Sequence, residues 1–215
     1  MLIATTNPGK VREIRATLAG ISYDIVSLDL WPAIDAPEES GSTFEENARG
    51  KALYYAAATG ELTVAEDSGL EIDALGGAPG VESARYGGVE TPYSEKFALI
   101  YAALRQTGRV DSTARFVCAL ALASGQRGAR EPDARRVIFE TRASVEGRIA
   151  SPPRGSAGFG YDPVFFYPPY GCTLAEATPD QKAAVSHRGQ AFRALRRFLE
   201  VSPSEQPASC GRDVR

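Results

Sequence analysis

The chain has 215 residues, 43% hydrophobic and 24% charged, with a formal net charge of -3. This length carries one globular core, or two joined lobes, and the composition excludes fold-wide disorder. The weak negative charge gives no long-range attraction for nucleic acid or an anionic membrane, and no apolar run nears the ~20 residues of a spanning helix. In chain order, Leu2–Thr6 reads as a strand and Pro8–Ala19 as a helix, with Pro8 in the first turn and Gly20 as the stop. Tyr23–Asp29 reads as a second strand. After a loop with Pro32, Pro37 and Gly41, Ser42-Thr43-Phe44-Glu45 has the form of a capping box. The helix it opens runs to Gly60 with Phe44, Ala48, Ala52 and Tyr55 on one face. Leu62–Glu66 is a strand expected to break at Asp67-Ser68-Gly69. A half-buried strand follows, in which Leu70, Ile72 and Ala74 alternate with Glu71 and Asp73.

Gly76–Gly80 is a loop, and Thr91-Pro92 opens a helix that reaches Gln106. Thr113–Ala123 and Arg135–Arg148 both alternate and read as a long hairpin, with a mobile tip expected in the polar connection Ser124–Ala134. The Gly- and Pro-rich Ser151–Gly160 precedes an apolar run, Val164–Tyr167. Thr178-Pro179-Asp180-Gln181 starts another helix, and Phe192, Leu195, Phe198 and Leu199 set a final helix against the core. This order predicts an α/β fold with a mixed central sheet flanked by helices. Residues 1–200 would form the domain, and the polar stretch 201–215 a frayed tail.

Four segments carry chemistry. Thr5-Thr6-Asn7-Pro8-Gly9-Lys10 lies at a strand-to-helix switch, where free backbone N–H groups, hydroxyls and the Lys10 charge can cradle phosphate; it also has the form of a turn that merely caps a helix. Glu45-Glu46-Asn47 in a first helical turn and Glu66-Asp67-Ser68-Gly69 at a strand end supply carboxylates from two elements. Such a pair suits Mg²⁺, and one member can deprotonate a water, although first-turn acids also simply favour the helix dipole. Phe159-Gly160-Tyr161-Asp162 offers aromatic rings that can stack on a base and a carboxylate for ring N–H groups, or can anchor a loop. Lys182 and Ser186-His187-Arg188 add cations, and Arg188 has the fork that meets the O6 and N7 acceptors of a 6-oxo purine.

His187 is the single histidine, which excludes a multi-histidine metal site. Of 24 basic residues only Lys10, Lys51, Lys96 and Lys182 are lysines. Cys118, Cys172 and Cys210 form no metal-type pair and no even-numbered disulfide framework, and MLIATTNPGK has no secretory pattern. A reduced, cytoplasmic setting is the expectation.

Together the segments TTNPGK (Thr5–Lys10), GSTFEENARGKA (Gly41–Ala52), AEDSGLEIDALGGAPGVESARYGG (Ala65–Gly88), GFGYDPVFF (Gly158–Phe166) and Lys182 with SHRGQAF ending at Phe192 resemble the inosine/xanthosine triphosphate pyrophosphatase family. Their order spans residues 2–200. The Maf-type nucleotide pyrophosphatases share the expected fold without this set of motifs. The resemblance implies two lobes with a deep nucleotide cleft, usually as a homodimer. It implies hydrolysis of ITP, dITP or XTP to the monophosphate and pyrophosphate, with Mg²⁺ as cofactor and neither nucleic acid nor membrane as partner. By position, it assigns Thr5, Thr6, Asn7, Pro8, Gly9 and Lys10 to the phosphates, and Glu46 and Asp67 to the metal. Asp67 also becomes the general base, Ser68 a substrate contact, and Phe159, Gly160, Tyr161, Asp162, Lys182, His187 and Arg188 the purine site. Two features depart from the family pattern: Glu66 stands where many relatives have aspartate, and 124–134 and 201–215 match nothing in it.

Overall fold

A computed structural model describes residues 1–109, 111–125 and 136–201. Its strands are β1 (Leu2–Ile3), β2 (Val26–Ser27), β3 (Thr63–Ile72), β4 (Thr113–Ser124), β5 (Arg136–Ile149), β6 (Phe165–Tyr167) and β7 (Cys172–Thr173). They form one mixed sheet in the order β2-β1-β3-β4-β5-β6-β7. β1 pairs in parallel with β2 and β3, and every later pair is antiparallel. The helices α1 (Pro8–Thr17), α2 (Phe44–Thr59), α3 (Tyr93–Gln106), α4 (Pro179–Val185) and α5 (His187–Val201) pack against it. The predicted α/β class with a flanked mixed sheet is therefore the fold observed.

The antiparallel β3–β4 ladder corrects the predicted break at Asp67. β3 continues through Asp67-Ser68-Gly69, which face Ala119, Cys118 and Val117 in unbroken register. Gly69 is there for close approach rather than for a turn: a Cβ on it would lie 2.4 Å from Ser83 Oγ and 2.5 Å from Gly80 O. The first two strands are shorter than predicted, because the chain leaves β1 for α1 and leaves β2 for a 3₁₀ turn at Leu28–Leu30. The capping box of α2 is shifted by one residue, with Thr43 as N-cap and Glu46, not Glu45, as its partner. The box predicted at Thr178 and Gln181 is present at the start of α4. The connection predicted at Ser124–Ala134, beyond Gly125, and the tail after Val201 lie outside the described residues.

Alternation along the strands sorts the core into faces. Val64, Cys118, Leu120 and Leu122 pack with Ile14 and Leu18 of α1 and Phe192, Leu195 and Leu199 of α5. Ala65, Val117, Ala119, Ala121 and Ala123 meet Phe44, Ala48, Ala52 and Ala56 of α2. Small residues on both partners let α2 lie close. A third cluster covers the far half of the hairpin, where Phe97, Ile100 and Leu104 of α3 join Phe116, Val145, Val164 and Phe165. At that end Gly147 is buried, and a Cβ there would stand 2.5 Å from Phe166 O and 2.6 Å from the Phe165 ring. Gly147→Ala is expected to destabilise the fold by about 1–3 kcal/mol, as overpacking does. Urea unfolding measures this, and an unchanged midpoint would contradict the close approach.

Candidate active site

Side chains of consecutive strand residues point to opposite faces. Glu66 therefore shares the face of Val64 with α1 and α5, and Asp67 shares that of Ala65 with α2. The two acids that adjoin in sequence thus enter different environments.

Glu66 is enclosed, its side chain 1% exposed. Oε1 takes Lys10 Nζ at 2.9 Å and Arg188 Nε and Nη2 at 3.2 Å each, and Cys118 Sγ donates to Oε2 at 3.3 Å. Burial alone raises its pKa, but the Arg188 guanidinium and then Lys10 overrule it and hold the carboxyl well below its usual range. Beyond Arg188 the pairing continues. Arg188 Nη1 meets Glu13 at 2.8 Å, Glu13 meets Lys182 at 3.0 Å, and Lys182 meets Asp162 at 2.6 Å. Three cations and three carboxylates from α1, β3, α4, α5 and the 158–162 loop thus alternate in one chain.

On the other face, Asp67 accepts Asn47 Nδ2 at 2.9 Å and its neighbour's Ser68 N at 3.0 Å, with Lys51 Nζ 3.8 Å away. Burial raises its pKa, against the pull of Lys51 and Asn47, and the nearby Glu39 charge raises it further. Lys51 Nζ is 2.6 Å from Glu39, so one ammonium serves two carboxylates. Neither Glu39 nor Lys51 is among the residues predicted for the site. Lys51 lies eight positions after Thr43, two helical turns along α2, and that spacing is a usable signal; Glu39 lies in an irregular loop with no pattern to mark it.

A cleft of about 270 Å³ gathers most of the predicted residues. Thr5, Thr6, Asn7 and Lys10 line it from the start of α1, and Asp67 and Ser68 from β3. Phe159, Gly160, Tyr161, Asp162, Lys182, His187 and Arg188 line it from the 158–162 loop, α4 and α5, and Glu39, Lys51 and Tyr93 are also in the wall. Pro8, Gly9 and Glu46 are not in that wall. Gly9 instead lies under Phe159, whose ring would stand 3.0 Å from a Cβ. Glu46 is exposed, and its Oε2 accepts Ser42 N at 2.7 Å, Ser42 Oγ at 2.9 Å and Thr43 N at 3.3 Å. All three bonds fall on Oε2, which caps α2, and none is made to Oε1 among the described residues.

Two details revise the chemistry expected of the motifs. Asn7 Oδ1 already accepts Gly9 N at 2.9 Å and Lys10 N at 3.2 Å, so the first N–H groups of α1 are capped from within. The cleft end at α1 must rely on side chains: Thr5, Thr6, Lys10 and the amide N–H groups of Asn7. Arg188 donates two bonds to Glu66, one to Glu13 and one to Ser68 Oγ, at 2.9 Å for the last. Of the five N–H groups of a guanidinium, one on Nη1 is left, so a two-pronged fork to a base is not free.

The 158–162 loop is tied by Asp162, whose Oδ2 accepts Phe159 N at 2.8 Å as well as Lys182. Gly158 has φ +76, and a Cβ there would fall 2.2 Å from that oxygen. Burial raises the Asp162 pKa in spite of Lys182. Phe159 carries Lys182 Nζ 4.6 Å and the Arg188 guanidinium 5.4 Å from its ring centre. His187 stacks on Phe116 at 4.9 Å, and burial together with Arg188 drives its pKa well down, so the ring is neutral. Its Nδ1 is the one buried side-chain N or O atom among the described residues without a hydrogen-bond partner.

A protein-family model described as the Ham1 family matches residues 1–198. The dITP/XTP pyrophosphatase of an Exiguobacterium strain is 47% identical over 199 residues, covering 91% of this chain and 94% of that protein. The dITP/XTP pyrophosphatase of a Thermus thermophilus strain is 44% identical over 209 residues, 97% of this chain and 96% of that one. The solved structure of a HAM1 protein from Coxiella burnetii has a TM-score of 0.82 at 37% identity, covering 94% of this chain and 98% of its own.

The buried neutral His187 makes stability depend on pH. With its folded pKa depressed, the unfolded chain binds a proton there as pH falls below about 6.5 while the native state does not. Stability should therefore decline from pH 7 toward pH 5, by up to ~1.4 kcal/mol per pH unit. His187→Phe, which keeps the stack on Phe116, should flatten that decline in denaturant titrations; an unaltered slope would place the proton elsewhere.

Proposed function

The chain belongs to the Ham1 family, and on that footing we propose that it hydrolyses non-canonical purine nucleoside triphosphates (ITP, dITP and XTP) to the monophosphate and pyrophosphate. Within this chain, the observation that carries the reading is Asp67. It is a buried carboxylate with a raised pKa, on the wall of a cleft that has Lys10 and Lys51 at hand. A base works best with its pKa moved toward the working pH, and burial moves Asp67 in that direction. Asn47 fixes one carboxylate oxygen, and the other is the atom that would take a proton from water as it attacks the α-phosphorus. Thr5, Thr6, Asn7, Lys10 and Lys51 would hold the phosphates, and Ser68 would help through its bond to Arg188.

Mg²⁺ belongs to this proposal. Glu39 and Asp67 present hard oxygen donors around a single ammonium, and Glu39 contributes to raising Asp67. That donor set fits Mg²⁺, which takes a few carboxylates together with waters and phosphate oxygens. Glu39 with Asp67, rather than the capping Glu46, would hold the ion. When bound, it would offset charge on the phosphates.

The purine would lie against Phe159, between Asp162 and Lys182 on one side and His187 and Arg188 on the other. The unpartnered Nδ1 of His187 supports a ligand there. Lys182 and the remaining N–H of Arg188 favour a 6-oxo acceptor, and the amino group of adenine would meet donors with donors. The family resemblance adds a homodimer, and the cysteine usage a reduced, cytoplasmic setting. No helix among the described residues is long and apolar enough to cross a membrane.

Assays of pyrophosphate and orthophosphate release from dITP, XTP, ATP and GTP test the reaction. Pyrophosphate with a divalent-ion requirement is expected, and orthophosphate as the first product would refute it. Asp67→Asn should lower kcat ~10²–10⁴-fold, the usual worth of a general base. Glu39→Gln should raise the Mg²⁺ concentration needed, while Glu46→Gln, whose amide oxygen can still cap α2 as Gln181 caps α4, should leave it unchanged. The reverse pattern would return the metal to Glu46. Arg188→Ala should reduce dITP and ATP turnover together and destabilise by about 1.5–3 kcal/mol, the worth of hydrogen bonds to a charged group, because buried Glu66 keeps Lys10 but loses the guanidinium. Selective loss of dITP turnover at unchanged stability would instead make Arg188 a pure base reader.

A further inference from the structure

Lys96 is 2% exposed, yet no carboxylate among the described residues lies within salt-bridge distance of it. Its ammonium donates to Ala84 O and sits 5.1 Å from the centre of the Tyr93 ring, three residues earlier on α3. Burial lowers its pKa. A cation taken from water and given one carbonyl and one aromatic face is an expensive arrangement, and what it holds in place borders the nucleotide cleft. Ala84 lines that cleft with Ser83, whose carbonyl is tied by Tyr161 OH at 2.8 Å. Tyr93 lines it too.

Tyr93 is built like a contact residue. Its ring meets Tyr161 edge-on at 5.2 Å and 87°, so its orientation is fixed from one side by an aromatic and from another by Lys96. Its hydroxyl lies over Gly160, 3.7 Å from where a Cβ would be, and makes no hydrogen bond to any described residue. The side chain is 40% exposed. Burial, with the Asp162 charge, raises its pKa, so it stays a neutral donor.

We propose that Tyr93 is an additional substrate-binding residue, its hydroxyl donating to an acceptor on the edge of the bound purine beside Gly160. Lys96 is the positioning residue that holds the Tyr93 ring and the Ser83-Ala84 wall. This rests on the purine site proposed above. The location favours base over phosphate, because Tyr93 packs on Tyr161 of the loop assigned to the base, while Lys51 lies beside Asp67 on α2.

Tyr93→Phe removes only the hydroxyl. Calorimetric titration with dIMP should show binding weakened about three- to ten-fold, the range for one neutral hydrogen bond. For dITP, KM should rise by a similar factor with kcat within about two-fold, and inhibition by inorganic tripolyphosphate, which has no base, should not change. Lys96→Met should weaken dIMP binding in the wild-type background and add little in Tyr93→Phe, because it acts through the same ring. Wild-type affinity for dIMP in Tyr93→Phe would overturn the inference. So would an equal shift in tripolyphosphate inhibition, or a wild-type chain that does not bind dIMP. A wild-type chain that binds dIMP but releases no pyrophosphate from dITP would refute the hydrolase alone, and the dIMP titration would still decide on Tyr93.

Discussion

Glu66 has no route to water, and its charge is tolerable only because Lys10 and Arg188 close on it from two helices. Removing either cation leaves the buried charge with one partner, and the hydrogen bonds to a charge that are lost are worth about 1.5–3 kcal/mol. The constraint therefore fixes more than one side chain. α1 must start where Lys10 can reach β3, and α5 must start where Arg188 can, so the short β1 and the Ser186 break between α4 and α5 are set by the same carboxylate. Cys118, on the neighbouring strand, fills the remaining space and donates its S–H to Glu66; burial and that negative charge push the thiol pKa well up. It is a satisfied core group rather than a nucleophile.

The sheet then separates structure from chemistry. One residue further along β3, the pleat turns Asp67 to the α2 face, where no guanidinium among the described residues lies within salt-bridge distance and Lys51 stands 3.8 Å away. Glu66 is forced to remain ionised, whereas Asp67 is pushed toward protonation. Two adjacent carboxylates thus acquire opposite pKa shifts because the strand has a period of two. An actual turn at Asp67-Ser68-Gly69 would have placed both acids in solvent and left them alike. The continuous ladder to β4 is the reason they differ.

Much of the fold is legible in the sequence wherever a local rule governs: the caps, the 3.6-residue faces of α2 and α5, the long alternating hairpin, and motif segments that converge on one cleft. Legibility ends where partners come from far along the chain. The predicted break in β3 rests on glycine as a turn former, but Gly69 answers to Gly80 and Ser83. A motif position assigns Glu46 to a metal, and the one-residue shift of the capping box gives its Oε2 a second task at the helix end. Arg188 reads as a free fork, and the two carboxylates that occupy it lie 122 and 175 residues away. Glu39 escapes notice because a single acid in an irregular loop has no periodicity to betray it.

The same pairings bear on how a polyanion would enter the cleft. Lys10, Lys182 and Arg188 are each matched by Glu66, Asp162 or Glu13. What remains is Lys51, shared between Glu39 and Asp67, and Arg85, shared between Glu39 and Glu82. Five cations thus face the six carboxylates Glu13, Glu39, Glu66, Asp67, Glu82 and Asp162, so the neighbourhood is slightly negative, and the chain as a whole carries -3. Neither the local nor the global field draws in a triphosphate. A substrate arriving with its negative charge partly offset by a divalent ion meets no such barrier, and the surplus carboxylate charge at Glu39 and Asp67 becomes an attraction. The charge balance thus supports a metal-dependent reading independently of any motif. It also gives the pairing of the three cations a purpose: with their charges neutralised in place, they can hold and orient groups by hydrogen bonds without binding any anion that enters.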